Sequence, residues 1–148
     1  MTRLPIFLHL LGVVVWIGGM SFMTFCLRPV AVAQLSPAQR LPLLVAVMGR
    51  FLAWVGISLV LIWGSGLWRF TEVGGALVPP HWHAMAKVGA GMTAIYLYIA
   101  LRLRPRLKAA VVRQDWPTGG AVLTLIGKLV MLNLALGLLT MAIAVLGA

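Results

Sequence analysis

The sequence predicts an all-α fold, a four-helix up-down transmembrane bundle, and two observations lead to it. Of the 148 residues, 62% are hydrophobic and 9% are charged, whereas a soluble domain carries about 25% charged residues. Four apolar runs, at about residues 4–27, 42–68, 82–101 and 121–147, are near or above the ~20 residues that a helix needs to cross a bilayer. We therefore expect residues 1–148 to form a single integral membrane domain.

The first two predicted helices are bounded by proline and by basic residues. No charged residue interrupts the run from Leu4 to Leu27, and Arg28-Pro29 is expected to stop that helix and to leave a cation at the membrane interface. Pro42 suits the first turn of the second helix. This helix is expected to end near Trp68-Arg69, an interfacial aromatic residue followed by a cation.

The last two predicted helices are bounded in a similar way. Gly74-Gly75 and Pro79-Pro80 form a turn-rich connection, so the third helix is expected to begin near His81 and to end at Arg102. The following connection closes at Trp116-Pro117, before the fourth helix. Because short connections join antiparallel neighbours, sequential helices should alternate in direction.

The basic residues predict the orientation. Arg3 and Arg69 mark one side, whereas eight basic residues lie in or beside the first and third connections: Arg28, Arg40, Arg50, Arg102, Arg104, Arg106, Lys108 and Arg113. By the positive-inside rule these connections face the cytoplasm and both termini face outward. We expect a homo-oligomer in a bacterial-type inner (plasma) membrane, with anionic headgroups beside the basic connections. The net charge of +10 is then a topology signal, and no nucleic-acid partner is expected.

His9 is the most informative residue, because an imidazole inside a membrane span must find a partner, a proton path or a metal. It lies about 7 Å below the start of the first helix, at ~1.5 Å per residue. His83 and Lys87 lie about 3 and 9 Å below the start of the third helix, and their four-residue spacing puts them on one face. Two adjacent helices could therefore aim three nitrogen donors at one volume near the outer leaflet.

Such a volume suits a haem group. Imidazole is a common axial ligand of haem iron, and cofactor sites in bundles are built from side chains on facing helices. His9 and His83 are therefore the predicted metal ligands, with Lys87 as an alternative ligand if desolvation keeps its amine neutral. Arg69 lies at the same end of the bundle and could pair with the propionates.

Each of these residues also has a structural interpretation. His9 could hydrogen-bond a carbonyl or a hydroxyl group across the bundle. His83 could be solvated at the interface, and Lys87 could extend towards the headgroups. Gly12 and Gly19 allow the close approach of a flat cofactor or, equally, of a neighbouring helix.

A resemblance to known families rests on two parts of the chain. The first span contains His9-Leu-Leu-Gly12-Val-Val-Val-Trp16-Ile-Gly18-Gly19, followed by Leu27-Arg28-Pro29, and the third span opens with Trp82-His83-Ala84 and Lys87. The pattern resembles the CopD-like membrane proteins and the related HemJ-type protoporphyrinogen oxidases, and it covers most of the chain as four spans. HemJ-type proteins are haem b-binding enzymes with a critical His in span 1 and a critical Lys in span 3, which implies these roles for His9 and Lys87. CopD-type proteins are associated with copper handling, and the Trp16–Gly19 stretch looks closer to their form.

Three functions are therefore compatible with the sequence. The favoured one is a haem b-binding membrane redox protein that exchanges electrons with a quinone, a porphyrinogen or another small acceptor, with an oxidoreductase of the HemJ type as its enzymatic form. The second is a copper-binding transport or resistance protein, in which Met20, Met23 and Cys26 supply soft ligands for Cu(I). The third is a ligand-free structural subunit, in which His9 contributes only to stability.

Overall fold

The computed structural model describes residues 3–147, apart from the side chain of Ala76, and all regular structure in this part is helical. Four helical segments, Leu4–Gln34, Pro37–Val73, Pro80–Val112 and Trp116–Leu146, are each long and apolar enough to cross a membrane. The predicted all-α class and the four membrane helices are confirmed. The chain is a multi-pass membrane protein.

The four segments consist of six α-helices. The first contains α1 (Leu4–Phe22), a π-turn (Met23–Leu27) and α2 (Arg28–Gln34), and the second is the single helix α3 (Pro37–Val73). After a 3-10 turn (Gly75–Leu77), the third contains α4 (Pro80–Tyr98), a π-turn (Ile99–Leu103) and α5 (Arg104–Val112). The fourth is α6 (Trp116–Leu146).

The predicted ends of the first and third helices are wrong, because both helices continue past an Arg-Pro pair. Pro29 and Pro105 each lie just after a five-residue π-turn. A proline inside an α-helix has no N–H for the carbonyl four residues earlier, and its ring clashes with that carbonyl. The wider π geometry removes this conflict locally. The chain therefore stays helical, to Gln34 in the first segment and to Val112 in the third.

The second and fourth helices begin earlier than predicted. Pro37, rather than Pro42, occupies the first turn of α3, and Pro42 lies inside the helix. The helix continues past the predicted end near Trp68-Arg69 to Val73, and Gly74 follows it with a φ of 77°, a backbone conformation that favours glycine. The fourth helix begins at Trp116, because the carboxylate of Asp115 accepts a hydrogen bond from the backbone N–H of Thr118 (3.3 Å) and caps the helix.

The helices pack in close pairs. α1 packs mainly against α3, and α4 mainly against α6. Gly12 and Gly19 permit the first of these contacts: a Cβ on Gly12 would lie 2.8 Å from the backbone oxygen of Ser58, and the ring of Phe51 fills the space beside Gly19. In this structure, both glycines therefore serve helix–helix packing.

The outward surface of the four segments is apolar. Large side chains such as Trp54, Val60 and Leu101 have exposed fractions of 60%, 73% and 67%. A soluble protein would bury them, whereas acyl chains solvate them. The buried residues form two clusters. Trp16 and Val55 lie in the cluster near the middle of the first segment. Leu41 and Leu107 lie in the second cluster, where the first and third segments end.

Candidate functional site

His9 lies between the first and second membrane segments. Its Nδ1 atom is 3.1 Å from the hydroxyl oxygen of Ser65 and 3.2 Å from the carbonyl oxygen of Ile62. The side chain is half-buried, and its ring lies beside Gly66, close to where a Cβ on that residue would be. The predicted intramembrane imidazole therefore has a defined seat on α3.

The sequence around His9 explains this position. His9, Gly12 and Trp16 recur at spacings of three and four residues, so they share one face of α1. Gly12 and Trp16 are buried, and the approach of α1 to α3 at Gly12 carries His9 onto the next turn of α3. Ser65 is also buried, at 4% exposure. The imidazole and the hydroxyl group thus meet where water is scarce.

The contacts of Nδ1 favour one tautomer of His9. The carbonyl of Ile62 can only accept, and the Ser65 hydroxyl lies within donating distance of the carbonyls of Leu61 (2.5 Å) and Ile62 (3.1 Å), which leaves its oxygen as an acceptor. Both contacts of Nδ1 are hydrogen bonds when this atom carries the proton. Nε2 then holds the free lone pair, and it makes no hydrogen bond within residues 3–147. Such an arrangement is typical of ligating histidines, in which the second nitrogen orients the ring.

The predicted partners on the third segment lie elsewhere. His83 is exposed, and its ring meets the ring of Phe70 edge-on, with centroids 5.5 Å apart. Lys87 is exposed on α4. In the described part of the chain, no hydrogen bond joins His9 to either residue.

The geometry of α3 explains this separation. His9 contacts α3 at Ile62, whereas Trp63 donates a hydrogen bond to Thr93 of α4. Consecutive residues of a helix point about 100° apart. The first and third segments therefore approach the second from different sides. His9 lies beside Gly66 and His83 beside Phe70, four residues further along α3, so the two histidines contact successive turns of that helix.

Arg69 belongs to a group of aromatic and charged residues at the end of α3. Its Nη1 atom is 3.0 Å from Oε2 of Glu72, and its guanidinium lies 5.5 Å from the centre of the Trp82 ring. Phe70 packs against both Trp82 and His83. The predicted propionate partner is thus already engaged by a carboxylate and an aromatic face.

Small cavities lie between the helices, and two of them adjoin residues of interest. The first, of about 30 Å³, is lined in part by Trp16, Met20, Met23, Met48, Tyr96 and Asn133; we call it the central cavity. The second, of about 40 Å³, is lined in part by Met23, Arg28, Met48 and Gly127. Drug-sized ligands occupy pockets of roughly 300–1,000 Å³, so neither cavity holds a porphyrin.

The sequence interpretation gave no site role to Ser65, Tyr96 or Asn133. Tyr96 donates a hydrogen bond to the carbonyl of Leu52 (2.9 Å), and Asn133 donates one to the carbonyl of Met92 (3.3 Å). A serine or a tyrosine in an apolar run carries little signal, because both residues also occur as simple packing residues. The polarity of Asn133 was noticeable in the sequence, and its role as a link between helices is the common one for such residues.

Within residues 3–147, no group of three or more His, Cys, Asp or Glu side chains is arranged to hold a metal ion. No family model matches the chain, and neither a curated protein nor a solved structure matches it at a significant level. The functional argument therefore rests on the chain's own residues, with His9 as the leading candidate.

Proposed function

We propose that this chain is a haem b-binding integral membrane redox protein in which His9 is an axial ligand through Nε2. One observation carries the proposal: Nδ1 of His9 contacts Ser65 and Ile62 within a membrane segment, which leaves the lone pair of Nε2 free to bind a metal. An imidazole of this kind suits haem iron. When bound, the haem would supply one-electron chemistry, while the helices would set the polarity and the access around it.

A haem would bind at the edge of the bundle, because the two cavities described above are too small for it. His83 or Lys87 would supply the second ligand. Since both residues are exposed on α4, the ligand reaches the iron either after a shift of α4 or from a second copy of the chain. Arg69 would exchange Glu72, which it contacts through one Nη1–Oε2 pair, for a propionate, whose two oxygens can pair with a guanidinium.

We also propose an up-down arrangement with both termini outside the cytoplasm, in a bacterial-type inner membrane. Contacts between α1 and α3 support the antiparallel packing of the first two segments, because Gly12 meets Ser58 whereas Gly19 meets Phe51. The orientation follows from the basic residues at the ends of the first and third segments. A quinone or a porphyrinogen is the proposed electron partner.

The test is the absorption spectrum of protein purified in detergent after haem-replete expression. The wild type should show a Soret band that shifts on reduction, and His9→Ala should lose it while eluting as a folded species. Ser65→Ala should keep the band but bind haem about 10–100-fold more weakly, as expected for a residue that orients a ligand. A colourless wild-type protein would end the proposal.

Variants of the third segment assign the second ligand. If His83→Ala changes the oxidised spectrum, His83 is the second ligand. If Lys87→Ala changes it, Lys87 is the second ligand. Co-expression of His9→Ala with this variant then locates it. Restored absorbance means that the ligand comes from a second copy, and unrestored absorbance means that one chain supplies both.

Copper is the second candidate, and one observation favours it. The thioether side chains of Met20, Met23 and Met48 line the same central cavity, and soft sulfur ligands select Cu(I). Cys26 is exposed and lies outside this set. If copper is the cargo, Met23→Leu and Met48→Leu should each lower Cu(I) binding while His9→Ala leaves it unchanged. Unchanged binding in both methionine variants would remove this candidate.

A further inference from the structure

The first and third membrane segments repeat one design. Each begins with a 19-residue α-helix, continues with a five-residue π-turn and then resumes as an α-helix. Each π-turn ends in leucine, and Arg-Pro follows it, as Leu27-Arg28-Pro29 and as Leu103-Arg104-Pro105. The two halves of the chain therefore place an arginine at the same position of an equivalent helix.

The two arginines are seated reciprocally in the opposite halves. The guanidinium of Arg28 lies against Gly127 of the fourth segment, and that of Arg104 lies against Gly49 of the second. A Cβ on Gly127 would be 2.7 Å from Cζ of Arg28, and one on Gly49 would be 3.0 Å from Cζ of Arg104. Each guanidinium thus fills the space that a glycine leaves open.

Neither guanidinium has an acceptor within residues 3–147. No hydrogen bond or ion pair is formed there by Arg28 or Arg104, and Nε of Arg104 is fully buried without a partner. The chain has two acidic residues: Glu72 pairs with Arg69, and Asp115 caps α6. The Nη atoms of both residues are not fully buried, and guanidinium donors are normally satisfied, so their acceptor is expected to come from outside the chain.

The depth of the two arginines indicates where that acceptor lies. Each follows 19 helical residues and a π-turn, which places it roughly 35 Å along its segment at ~1.5 Å per residue. The hydrocarbon core is about 30 Å thick. A segment that enters at one boundary therefore brings its arginine to the headgroup level at the other boundary.

We propose that Arg28 and Arg104 form two equivalent seats for the phosphodiester groups of anionic phospholipids such as phosphatidylglycerol. Guanidinium binds phosphate oxygens in a bidentate geometry, and the basic residues at this end of the bundle, such as Arg50, add a favourable field. The apolar helix surfaces beside each seat accommodate the acyl chains, which free phosphate lacks. The seats do not depend on haem or copper.

The full chain in mixed micelles can be titrated with brominated phosphatidylglycerol or phosphatidylcholine, with quenching of tryptophan fluorescence as the signal. The wild type should prefer phosphatidylglycerol. Arg28→Gln and Arg104→Gln should each weaken binding at one of the two seats about tenfold, as expected when a charge-assisted hydrogen bond is lost, and should leave the other seat unchanged. Phosphatidylcholine binding should stay unchanged.

Glycine variants provide a test that keeps the charge. Gly49→Ala should displace the guanidinium of Arg104, the end of a flexible side chain, and should weaken phosphatidylglycerol binding as Arg104→Gln does. Gly120→Ala is the matched control, because nothing lies within 4 Å of its Cβ position. Arg102→Gln is the control for charge, since Arg102 is exposed at the same end. Both controls should change binding less than twofold.

Three outcomes would overturn the proposal. Equal losses in Arg102→Gln and Arg104→Gln would mean that the lipid responds to diffuse charge alone. Wild-type binding in Gly49→Ala would show that the seat plays no part, even if the arginine variants fail to fold. Displacement of phosphatidylglycerol by excess inorganic phosphate would identify a site for soluble phosphate instead.

Discussion

Gly12→Ala tests the contact on which the position of His9 depends. The added Cβ would lie 2.8 Å from the backbone oxygen of Ser58 and 2.8 Å from Cγ1 of Ile62. Ordinary contact begins at 3.4 Å, so α1 must move away from α3 by about 0.6 Å. Because one of the two obstacles is backbone, a change of rotamer cannot relieve the clash.

The expected cost follows from these distances. Overpacking of a close contact costs about 1–3 kcal/mol, and the higher helix propensity of alanine offsets up to about 1 kcal/mol of this. Gly12→Ala should therefore lower the free energy of unfolding by up to about 2 kcal/mol, and by about 1–3 kcal/mol relative to a glycine-to-alanine change at an open position of the same helix. The same displacement should lengthen the hydrogen bond between His9 and Ser65 and weaken the binding of any ligand held by His9.

The assay is reversible unfolding in mixed micelles with increasing sodium dodecyl sulfate, followed by circular dichroism. Gly18→Ala is the matched control on the same helix, because Gly18 is exposed and nothing lies within 4 Å of its Cβ position. It should be neutral or slightly stabilising. Equal stability of the two variants would refute the packing argument and, with it, the seat assigned to His9.

Three further predictions use the same assay. Tyr96→Phe removes the hydrogen bond to Leu52 and should cost about 0.6 kcal/mol, with ~1.7 kcal/mol as the upper bound for a bond inside the membrane; a larger loss would indicate that the hydroxyl has another role. Asn133→Leu removes one hydrogen bond but also a buried carbonyl oxygen without a partner, so it should change stability by less than about 1 kcal/mol. Hydrogen bonds from Thr118 to Asp115 hold the pKa of that carboxyl below its ordinary value. Its stabilising effect is therefore present above about pH 4 and is lost as the pH falls through the lowered pKa. The stability of the wild type relative to Asp115→Asn should decline in that acidic range, and a constant difference would contradict the assignment.

The sequence was sufficient for the fold class, because apolar runs of this length have few alternatives to membrane helices. It was insufficient for the helix ends. Proline was expected to stop the first helix at Pro29, but a π-turn lets the backbone pass a proline without breaking the helix. The recurrence of Leu-Arg-Pro was readable in the sequence, yet its meaning depends on the π-turns, which have no clear sequence signal.

The candidate site was predicted in part. An imidazole in an apolar run must find a partner, and this requirement alone drew attention to His9. Which helix supplies the partner depends on the rotation of α1, and this rotation is set by the approach at Gly12. The rise per residue placed His9 and His83 at similar depths in the membrane. Depth carries no information on the direction in which each side chain points around its helix. A hydrogen bond from His9 to a carbonyl or a hydroxyl group across the bundle was among the expected alternatives, and it is confirmed, but the sequence did not identify Ile62 and Ser65 as the partners.

The π-turns also fix the direction in which each arginine points. A π-turn accommodates one residue more than the α-helix does over the same turn, so every side chain beyond it is rotated by about 100° relative to an uninterrupted helix. Winding the same residues of Met23–Leu27 or Ile99–Leu103 as regular α-helix would swing Arg28 or Arg104 away from its glycine, whereas deleting one residue from the turn would restore regular winding and keep the arginine in place. The extra residue in each π-turn thus determines the direction in which the following arginine points around the helix axis, and the chain has this feature in both halves.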